Sequence, residues 1–232
     1  MKIVIIHGQN HKGNTWHVGN MLVDRIAGEK EVEVFYLPKD LPHFCAGCFA
    51  CLKARENCPY WKAKQPIIDA MLQADLLVFT TPNYCMMPSA PMKAFLDLFF
   101  TNWLTHKPYK EMFSKRAVVI STAAGAGAKK AAKLVADNIS NWGVPEVIAY
   151  GININATNWD TVPEKKKAKA EKEIGRMAKR ISMRKTVHVG LATRARFWLY
   201  SGMQKANWGA SPEEKQYWLD RGWLDGKKPW DE

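Results

Sequence analysis

Short runs of β-branched residues alternate with helical stretches throughout the first 150 residues, and this alternation limits the fold more than any other feature. It is typical of a parallel sheet covered by helices on both faces, because each parallel pair of strands needs a crossover connection. The predicted strands are Lys2–His7, Glu31–Tyr36, Asp75–Thr80, Ala117–Ser121 and Pro145–Tyr150. The predicted helices between them include Thr15–Ala27, Ala90–Thr105 and Ala128–Asn141. We therefore expect an α/β fold with a doubly wound, five-stranded parallel sheet, for which right-handed crossovers leave few strand orders.

Ligands of doubly wound sheets bind beyond the carboxyl ends of the strands. The first loop at that edge, HGQNHKGNT, joins the first strand to the first helix. Its glycines allow a close turn, and the amides of the helix N-terminus favour an anion such as phosphate. The loop matches neither the dinucleotide-binding nor the P-loop motif, so an ordinary capped helix after a glycine turn is the alternative.

Two further loops at this edge suit a flat aromatic ligand. The segment TPNYCMMPSAPMKAFLD, residues 81–97, offers apolar side chains with a few polar groups, and STAAGAGA, residues 121–128, is small enough to bring backbone amides against a ring. Each loop alone could be a plain connection between a strand and a helix. Three such loops at one edge favour a binding site.

The first loop resembles the H-G-S-P-R-x-G-N-T phosphate loop of the flavodoxin-like NAD(P)H-dependent FMN reductases. Residues 81–97 resemble that family's S/T-P-x-Y-x-x-x-x-S-A-x-x-K-x-F-x-D segment. The likeness covers roughly residues 1–150 and implies the flavodoxin-like strand order 2-1-3-4-5, FMN as the cofactor and NAD(P)H as an electron donor. The chain departs from the family at Gln9, Asn10 and His11, and at Cys85 and Met86, where an aromatic residue and a glycine are common.

The resemblance assigns roles to thirteen residues. The implied phosphate ligands are Gln9, His11, Gly13, Asn14 and Thr15. The implied walls around the isoalloxazine are Pro82, Asn83, Tyr84 and Cys85 on one side, and Thr122, Ala123, Ala124 and Gly125 on the other.

Four of the five cysteines, Cys45, Cys48, Cys51 and Cys58, follow the spacing C-x2-C-x2-C-x6-C. Compact runs of this kind wrap a 4Fe–4S cluster, because short spacers let backbone amides reach the sulfur atoms. Structural zinc sites more often use two separated C-x2-C pairs, and disulfides are disfavoured in the cytosol. Unligated packing cysteines remain an alternative. The iron–sulfur flavoproteins, a branch of the same family, are similar in carrying such a motif between the second and third strands, which implies an electron relay beside the flavin.

Two functions follow from these expectations. The first is an enzyme in which NAD(P)H reduces FMN, and FMN reduces a small acceptor such as a quinone, nitro or azo compound. The second is an electron carrier that exchanges electrons with a ferredoxin-like partner and has no small substrate of its own. No Ser-His-Asp or paired-carboxylate site stands out, so we assign no catalytic side chain. A nucleic-acid-binding protein on this scaffold is a third, non-redox hypothesis.

We divide the chain into an FMN-binding domain, residues 1–155, and a basic, aromatic-rich helical extension, residues 156–232. The net charge is +12, and residues 163–205 hold 13 Lys or Arg against 3 Asp or Glu. Residues 163–185 suit a solvated helix with a narrow apolar stripe, and residues 194–208 suit an amphipathic helix. No recognised motif accompanies the charge, so we expect neither nucleic acid nor a membrane surface as a partner. The extension's tryptophans favour a homo-oligomer, either dimer or tetramer. The first apolar run is too short for a signal peptide, and we expect a cytoplasmic protein.

Overall fold

The computed structural model describes residues 1–184, 186–209 and 211–231, and its centre is a twisted parallel sheet. The parallel strands run in the order β2-β1-β3-β5-β6, which confirms the predicted flavodoxin-like arrangement. They are β1 Lys2–His7, β2 Glu31–Tyr36, β3 Leu76–Tyr84, β5 Arg116–Ala123 and β6 Glu146–Asn153. A sixth strand, β4 Met87–Pro88, pairs antiparallel with the end of β3 and corrects the predicted number of five.

The later strands extend further toward the carboxyl edge than the sequence predicts. β3 continues past Thr80 because the chain turns back at Cys85 and Met86, both with positive φ, to form a hairpin with β4. The β5–β6 ladder continues to the pair Ala123 and Asn153. The extra residues lengthen the carboxyl edge of the sheet beside the predicted ligand site.

Helices cover both faces of the sheet. The helices are α1 Asn14–Arg25, α2 Ala50–Lys53, α3 Trp61–Gln73, α4 Ala90–Leu98, α5 Ala128–Ser140, α6 Glu164–Met183, α7 Leu191–Lys205 and α8 Pro212–Asp220. Helices α3, α4 and α5 share one apolar core with the sheet, and α1 and α6 share the other. Helix α4 ends at Leu98 rather than at the predicted Thr105, because the chain continues in a 3-10 turn, Phe100–Asn102.

Helix α6 lies beyond the predicted domain boundary but helps to form the second core. Its apolar stripe contributes Ile174, Ala178 and Ile181, which pack with α1 and with three strands. The apolar core therefore extends past residue 155, and the division of the chain into two domains at that residue stays a prediction. Lys185, the last residue of the predicted solvated helix, lies outside the described residues.

A half-buried ion network ties α6 to β6. The side chain of Glu146 contacts Arg116 at 2.8 Å, Arg180 at 2.9 Å and Arg184 at 3.4 Å. Burial favours the neutral form of Glu146, but the hydrogen bond and charge of Arg116, with the other two arginines, hold its pKa below the ordinary value.

The C-terminal extension forms its own aromatic cluster against the domain. Trp218 and Trp223 are buried with Phe197, and the cluster also contains Leu104 and Phe113. These two tryptophans therefore pack within the chain and are not available as anchors for an oligomer. Trp198 and Trp208 are 52% and 71% exposed. Within the described residues, none of the helices combines the length and apolar character that a membrane span requires.

Candidate active site

A cavity of about 320 Å³ opens at the carboxyl edge of the sheet. Its volume lies within the range of about 300–1,000 Å³ that is usual for small-molecule sites. Among the described residues that line it there is no carboxylate. The lining residues are His7, Gln9, His11, Gly13, Asn14, Thr15, Trp16, Thr80, Pro82, Asn83, Tyr84, Thr122, Ala123, Ala124, Ile154, Ala156 and Thr157.

The N-terminus of α1 borders this cavity without a side-chain cap. Gly13 is the N-cap residue, no side chain accepts from the first amides, and the first turn carries no acidic residue. Uncapped amides and the positive end of the helix dipole favour an anion at this point. Thr15 lies in the same turn, and its hydroxyl is 2.6 Å from that of Thr122 at the end of β5. The hydroxyl pair joins the first loop to the opposite wall.

Close backbone approach at Gly8 fixes the first loop against β3. Gly8 N–H donates to Thr80 O at 2.6 Å, and Ser89 Oγ donates to Gly8 O at 2.7 Å. A Cβ at this position would lie 2.7 Å from Thr80 O, closer than side chains approach. The sequence therefore needs glycine here to hold the loop in place.

Three buried polar atoms of cavity-lining residues have no partner within the described residues: His7 Nε2, Asn14 Oδ1 and Asn83 Oδ1. His7 is 1% exposed, and its other ring nitrogen lies 2.8 Å from Thr80 Oγ1. Burial lowers the pKa of His7 to about 4, so the ring is neutral at pH 7. Asn14 Nδ2 donates to Ala156 O at 3.1 Å. Buried polar atoms are nearly always paired, so all three fit a polar ligand.

The β3–β4 hairpin forms another wall of the cavity and is tied to the loop after β5. Asn83 Nδ2 donates to Ala126 O at 2.8 Å, which ties the end of β3 to the β5–α5 loop. Gly127, with φ of 91°, lies so close to Asn83 and Met86 that an added Cβ would be within 3.0 Å of both. Tyr84 is 46% exposed beside the cavity. A flat ring could therefore lie between this wall and the small residues after β5.

The structure brings eleven of the thirteen predicted cofactor residues around the cavity. Cys85 and Gly125 do not line it, and Cys85 is an exposed turn residue, so their roles stay predictions. Six lining residues were not assigned to the site from the sequence: His7, Trp16, Thr80, Ile154, Ala156 and Thr157. The last three follow β6 at the same edge of the sheet, so their position in the topology was the signal that could have found them.

The four clustered cysteines border a separate, small cavity of about 20 Å³. All are free thiols; Cys45 and Cys48 are exposed, and Cys51 is buried. Among the described residues, no group of three or more His, Cys, Asp or Glu side chains is arranged to hold a metal ion. The cysteine loop, residues 45–58, therefore does not form a preorganised metal site in this conformation.

Lys64 on α3 is an unusual neighbour of this loop. It is 2% exposed, and Nζ lies 3.9 Å from Cys58 Sγ and 5.2 Å from the centroid of the Phe99 ring. Burial lowers the pKa of Lys64 and raises that of Cys51, while negative charge on Cys58 or Cys51 would oppose the shift at Lys64. A buried ammonium is costly without an anion, so Lys64 either loses its proton or is balanced by negative charge on the cysteine loop.

The loop is also anchored to the C-terminal extension. The guanidinium of Arg55 lies 3.7 Å from the centroid of the Tyr109 ring and 5.2 Å from that of Tyr217 on α8, and it donates to Lys107 O. Tyr217 in turn donates its hydroxyl proton to Pro108 O. We call Arg55, Tyr109 and Tyr217 the Arg55 clamp; it sets the loop between Cys51 and Cys58 against the extension.

The strand order and a carboxyl-edge cavity around an uncapped helix N-terminus define a flavodoxin-like α/β protein. Comparison with known families agrees: residues 1–156 match the model of the NADPH-dependent FMN reductases. The chain belongs to this family and is an oxidoreductase. No protein of curated function matches it.

Solved structures show the same fold at low identity. An FMN-dependent NADH-azoreductase from Bacillus anthracis, solved with FMN, is 15% identical with a TM-score of 0.60, over 78% of this chain and all of that chain. An NADH:FMN oxidoreductase in its apo form is 16% identical, with a TM-score of 0.55 and coverage of 83% and 93%. The flavoenzyme NAD(P)H:acceptor oxidoreductase of Paracoccus denitrificans is 17% identical, with a TM-score of 0.51 and coverage of 77% and 95%.

Proposed function

We propose that this chain binds FMN in the carboxyl-edge cavity and uses NAD(P)H to reduce a small acceptor such as a quinone, nitro or azo compound. The observation that carries the proposal is the cavity itself, which joins an uncapped helix N-terminus to an apolar wall and has no carboxylate among its described lining residues. FMN, when bound, supplies both two-electron and one-electron chemistry. The named activities of the azoreductase and of the two NAD(P)H oxidoreductases support this class of reaction.

The chain's own residues would bind and orient the phosphate end. The amides that open α1, with Gln9, His11, Gly13, Asn14 and Thr15, would hold the phosphate. The absence of an acidic side chain from the first turn of α1 removes the repulsion that such an anion would otherwise meet.

The other loops would hold the ring. Pro82, Asn83, Tyr84 and Cys85 would form one wall, and the segment from Thr122 to Gly125 the other. Backbone amides near Ala124 and Gly125 could stabilise negative charge on a bound ring, because amide donors fixed in a partly dry site need no reorganisation.

Stopped-flow absorbance can follow reduction of the flavin by NADPH, by NADH and by reduced ferredoxin in separate experiments. The comparison distinguishes an NAD(P)H-dependent enzyme from an electron carrier. Flavin reduction by a nicotinamide, followed by multiple turnovers with a quinone or azo dye, is the expected result. The proposal would be refuted if protein purified under anaerobic conditions contained no flavin and did not bind added FMN in a fluorescence titration.

A second candidate is an iron–sulfur flavoprotein that carries electrons between protein partners, with a 4Fe–4S cluster on Cys45, Cys48, Cys51 and Cys58. The buried Lys64 favours it, because a cluster held by four thiolates is anionic. The loop would have to close around the iron, since its described side chains do not form a metal site. Iron and acid-labile sulfide assays on anaerobically purified protein decide between this carrier and a flavin enzyme without a cluster.

We also propose a homo-oligomer, dimer or tetramer. Trp198 and Trp208 remain exposed after the extension has packed, and aromatic side chains are enriched in protein interfaces. Light scattering coupled to gel filtration should give a mass of two or four chains. A monomer at micromolar concentration would contradict this proposal.

A further inference from the structure

A second, basic groove lies along the outer edge of β6, with a volume of about 900 Å³. Its floor is β6 from Ala149 to Asn153, a strand that pairs only with β5 among the described strands. Its sides are α5 and α6. We call it the lysine groove after the residues that line those sides: Lys129, Lys130, Lys133, Lys166 and Lys169. Glu173 is the one acidic side chain among the described lining residues.

Most of this positive charge is not neutralised within the protein. Lys133 pairs with Asp137 at 2.6 Å. The other four lysines make no ion pair within the part of the chain that the structure describes. Four cations beside one groove repel one another, and an acidic partner would relieve that repulsion.

Three of the five lysines also lie where helices disfavour them. Lys129 and Lys130 are in the first turn of α5, and Lys166 is in the first turn of α6. The positive end of the helix dipole repels cations in a first turn. The stability of the two helices therefore does not explain these lysines, which points to a role outside the chain.

The groove and the candidate flavin cavity are neighbours, because the same two chain segments line both of them. Ala123 and Ala124 line the cavity, and Gly127, a few residues further along the same loop, lines the groove. The same holds at the end of β6: Asn153, its last residue, lines the groove, and Ile154, the next residue, lines the cavity. A protein bound in the groove would therefore lie against the loop that borders the flavin site.

We propose that the lysine groove is the docking surface for an acidic one-electron transfer protein. The proposal rests on the flavin site argued above. In the transfer, each reduced partner molecule is oxidised by one electron; two successive dockings, with two protons from water, reduce one bound flavin fully. Charge complementarity at such a surface accelerates encounter and makes it sensitive to salt.

Nucleic-acid binding and protection of the sheet edge would each give the groove different properties. A groove for single-stranded nucleic acid would combine its cations with exposed aromatic rings for base stacking, but among the described lining residues the one aromatic side chain is the partly buried Tyr150. Lysines also prevent edge strands from pairing with other chains. In that case, charge reversal would keep the edge protected and would leave partner binding unchanged.

The test measures binding of an acidic bacterial ferredoxin to the full chain by calorimetry at low and moderate salt. The groove variant is Lys129→Glu with Lys166→Glu and Lys169→Glu. The control variant, Lys172→Glu with Lys179→Glu and Lys205→Glu, makes the same change in net charge at exposed lysines outside the groove. We expect the groove variant to bind at least about tenfold more weakly than the wild type at low salt, and the control to stay within about threefold. The melting temperature verifies folding of each variant.

Several results would overturn the proposal: no binding of ferredoxin to the wild type at low salt, equal weakening by both variants, or ferredoxin binding by the groove variant that equals that of the wild type. Tighter binding of a single-stranded oligonucleotide than of ferredoxin, lost in the groove variant, would overturn it in favour of nucleic acid. An FMN titration of the same samples separates this result from the proposed function, because failure to bind FMN concerns the cavity and not the groove.

Discussion

Alanine at position 8 is the substitution with the most direct consequence for the candidate site. An added Cβ would lie 2.7 Å from Thr80 O and 2.9 Å from Ser89 Oγ. The Thr80 oxygen is a backbone atom in the middle of the sheet and cannot rotate away. The first loop must therefore move outward, which weakens the 2.6 Å bond from Gly8 N–H to Thr80 O and the 2.7 Å bond from Ser89 Oγ to Gly8 O.

The magnitude follows from these contacts. Overpacking of this kind costs about 1–3 kcal/mol, and a net hydrogen bond contributes about 1 kcal/mol. We expect Gly8→Ala to lower the free energy of unfolding by roughly 2–4 kcal/mol, which lowers the melting temperature by roughly 4–16 °C. Because the displaced loop leads into the N-terminus of α1, the affinity for FMN should also fall by at least about tenfold.

Circular dichroism melts of the flavin-free protein and fluorescence titrations with FMN measure the two effects. Gly175→Ala is the matched control: nothing lies within 4 Å of the added Cβ, and alanine in a helix interior should change stability by no more than about 1 kcal/mol, in the favourable direction. A Gly8→Ala protein with the melting temperature of the wild type would refute the packing argument. A lower melting temperature with unchanged FMN affinity would refute the placement of the phosphate.

Three further substitutions test separate parts of the structure. Thr15→Val removes a hydroxyl at the α1 N-terminus and should weaken FMN about tenfold while leaving riboflavin, which has no phosphate, unchanged in parallel titrations. For the iron–sulfur candidate, Cys58→Ser should lower the iron and sulfide content of anaerobically prepared protein, whereas Cys85→Ser, in the exposed turn, should not. Glu146→Gln leaves the buried Arg116 without its carboxylate and should cost about 2–4 kcal/mol of unfolding free energy at pH 7 in urea melts.

The Glu146 effect has a defined pH dependence. The pKa of Glu146 in the folded protein lies below its ordinary value. The Glu146 carboxylate therefore contributes fully to the free energy of unfolding above the ordinary pKa, and this contribution is lost as the pH falls through the folded pKa. The difference between wild type and Glu146→Gln should therefore shrink in acid. A difference that is constant from pH 7 to pH 3 would contradict the ion network, equal loss of FMN and riboflavin affinity would contradict the role of Thr15, and equal iron in both cysteine variants would contradict the cluster.

The strands were predictable because each is a compact β-branched run, and the strand order followed from the family resemblance and the handedness of crossovers. The hairpin after β3 was not predictable, because its turn uses Cys85 and Met86 at positive φ rather than the usual Asn or Gly. The role of α6 in the core was understated, since its apolar stripe is narrow and most of its residues are charged.

The candidate site was predictable where loops carry glycines and polar groups, and less so elsewhere. The sequence places His7 near the site but gives it no role. Its burial beside the cavity distinguishes it, together with a neutral ring whose Nε2 has no partner among the described residues. The tryptophans of the extension show the opposite failure: composition indicates an interface, but cannot tell that Trp218 and Trp223 pack within the chain while Trp198 stays exposed. That distinction depends on tertiary contacts far apart in sequence.

The Arg55 clamp limits how this protein can be dissected or grafted. Residues 1–156, which match the family, contain the cysteine loop but neither Tyr217, which contacts Arg55, nor α6, which shields one side of the sheet. A fragment that ends at residue 156 would expose apolar strand residues to water. It would also lose the contact with Tyr217 that holds Arg55 and the cysteine loop in place. A unit transferred into another scaffold must therefore include α6 and the extension as far as α8, because both contact the part of the chain that matches the family.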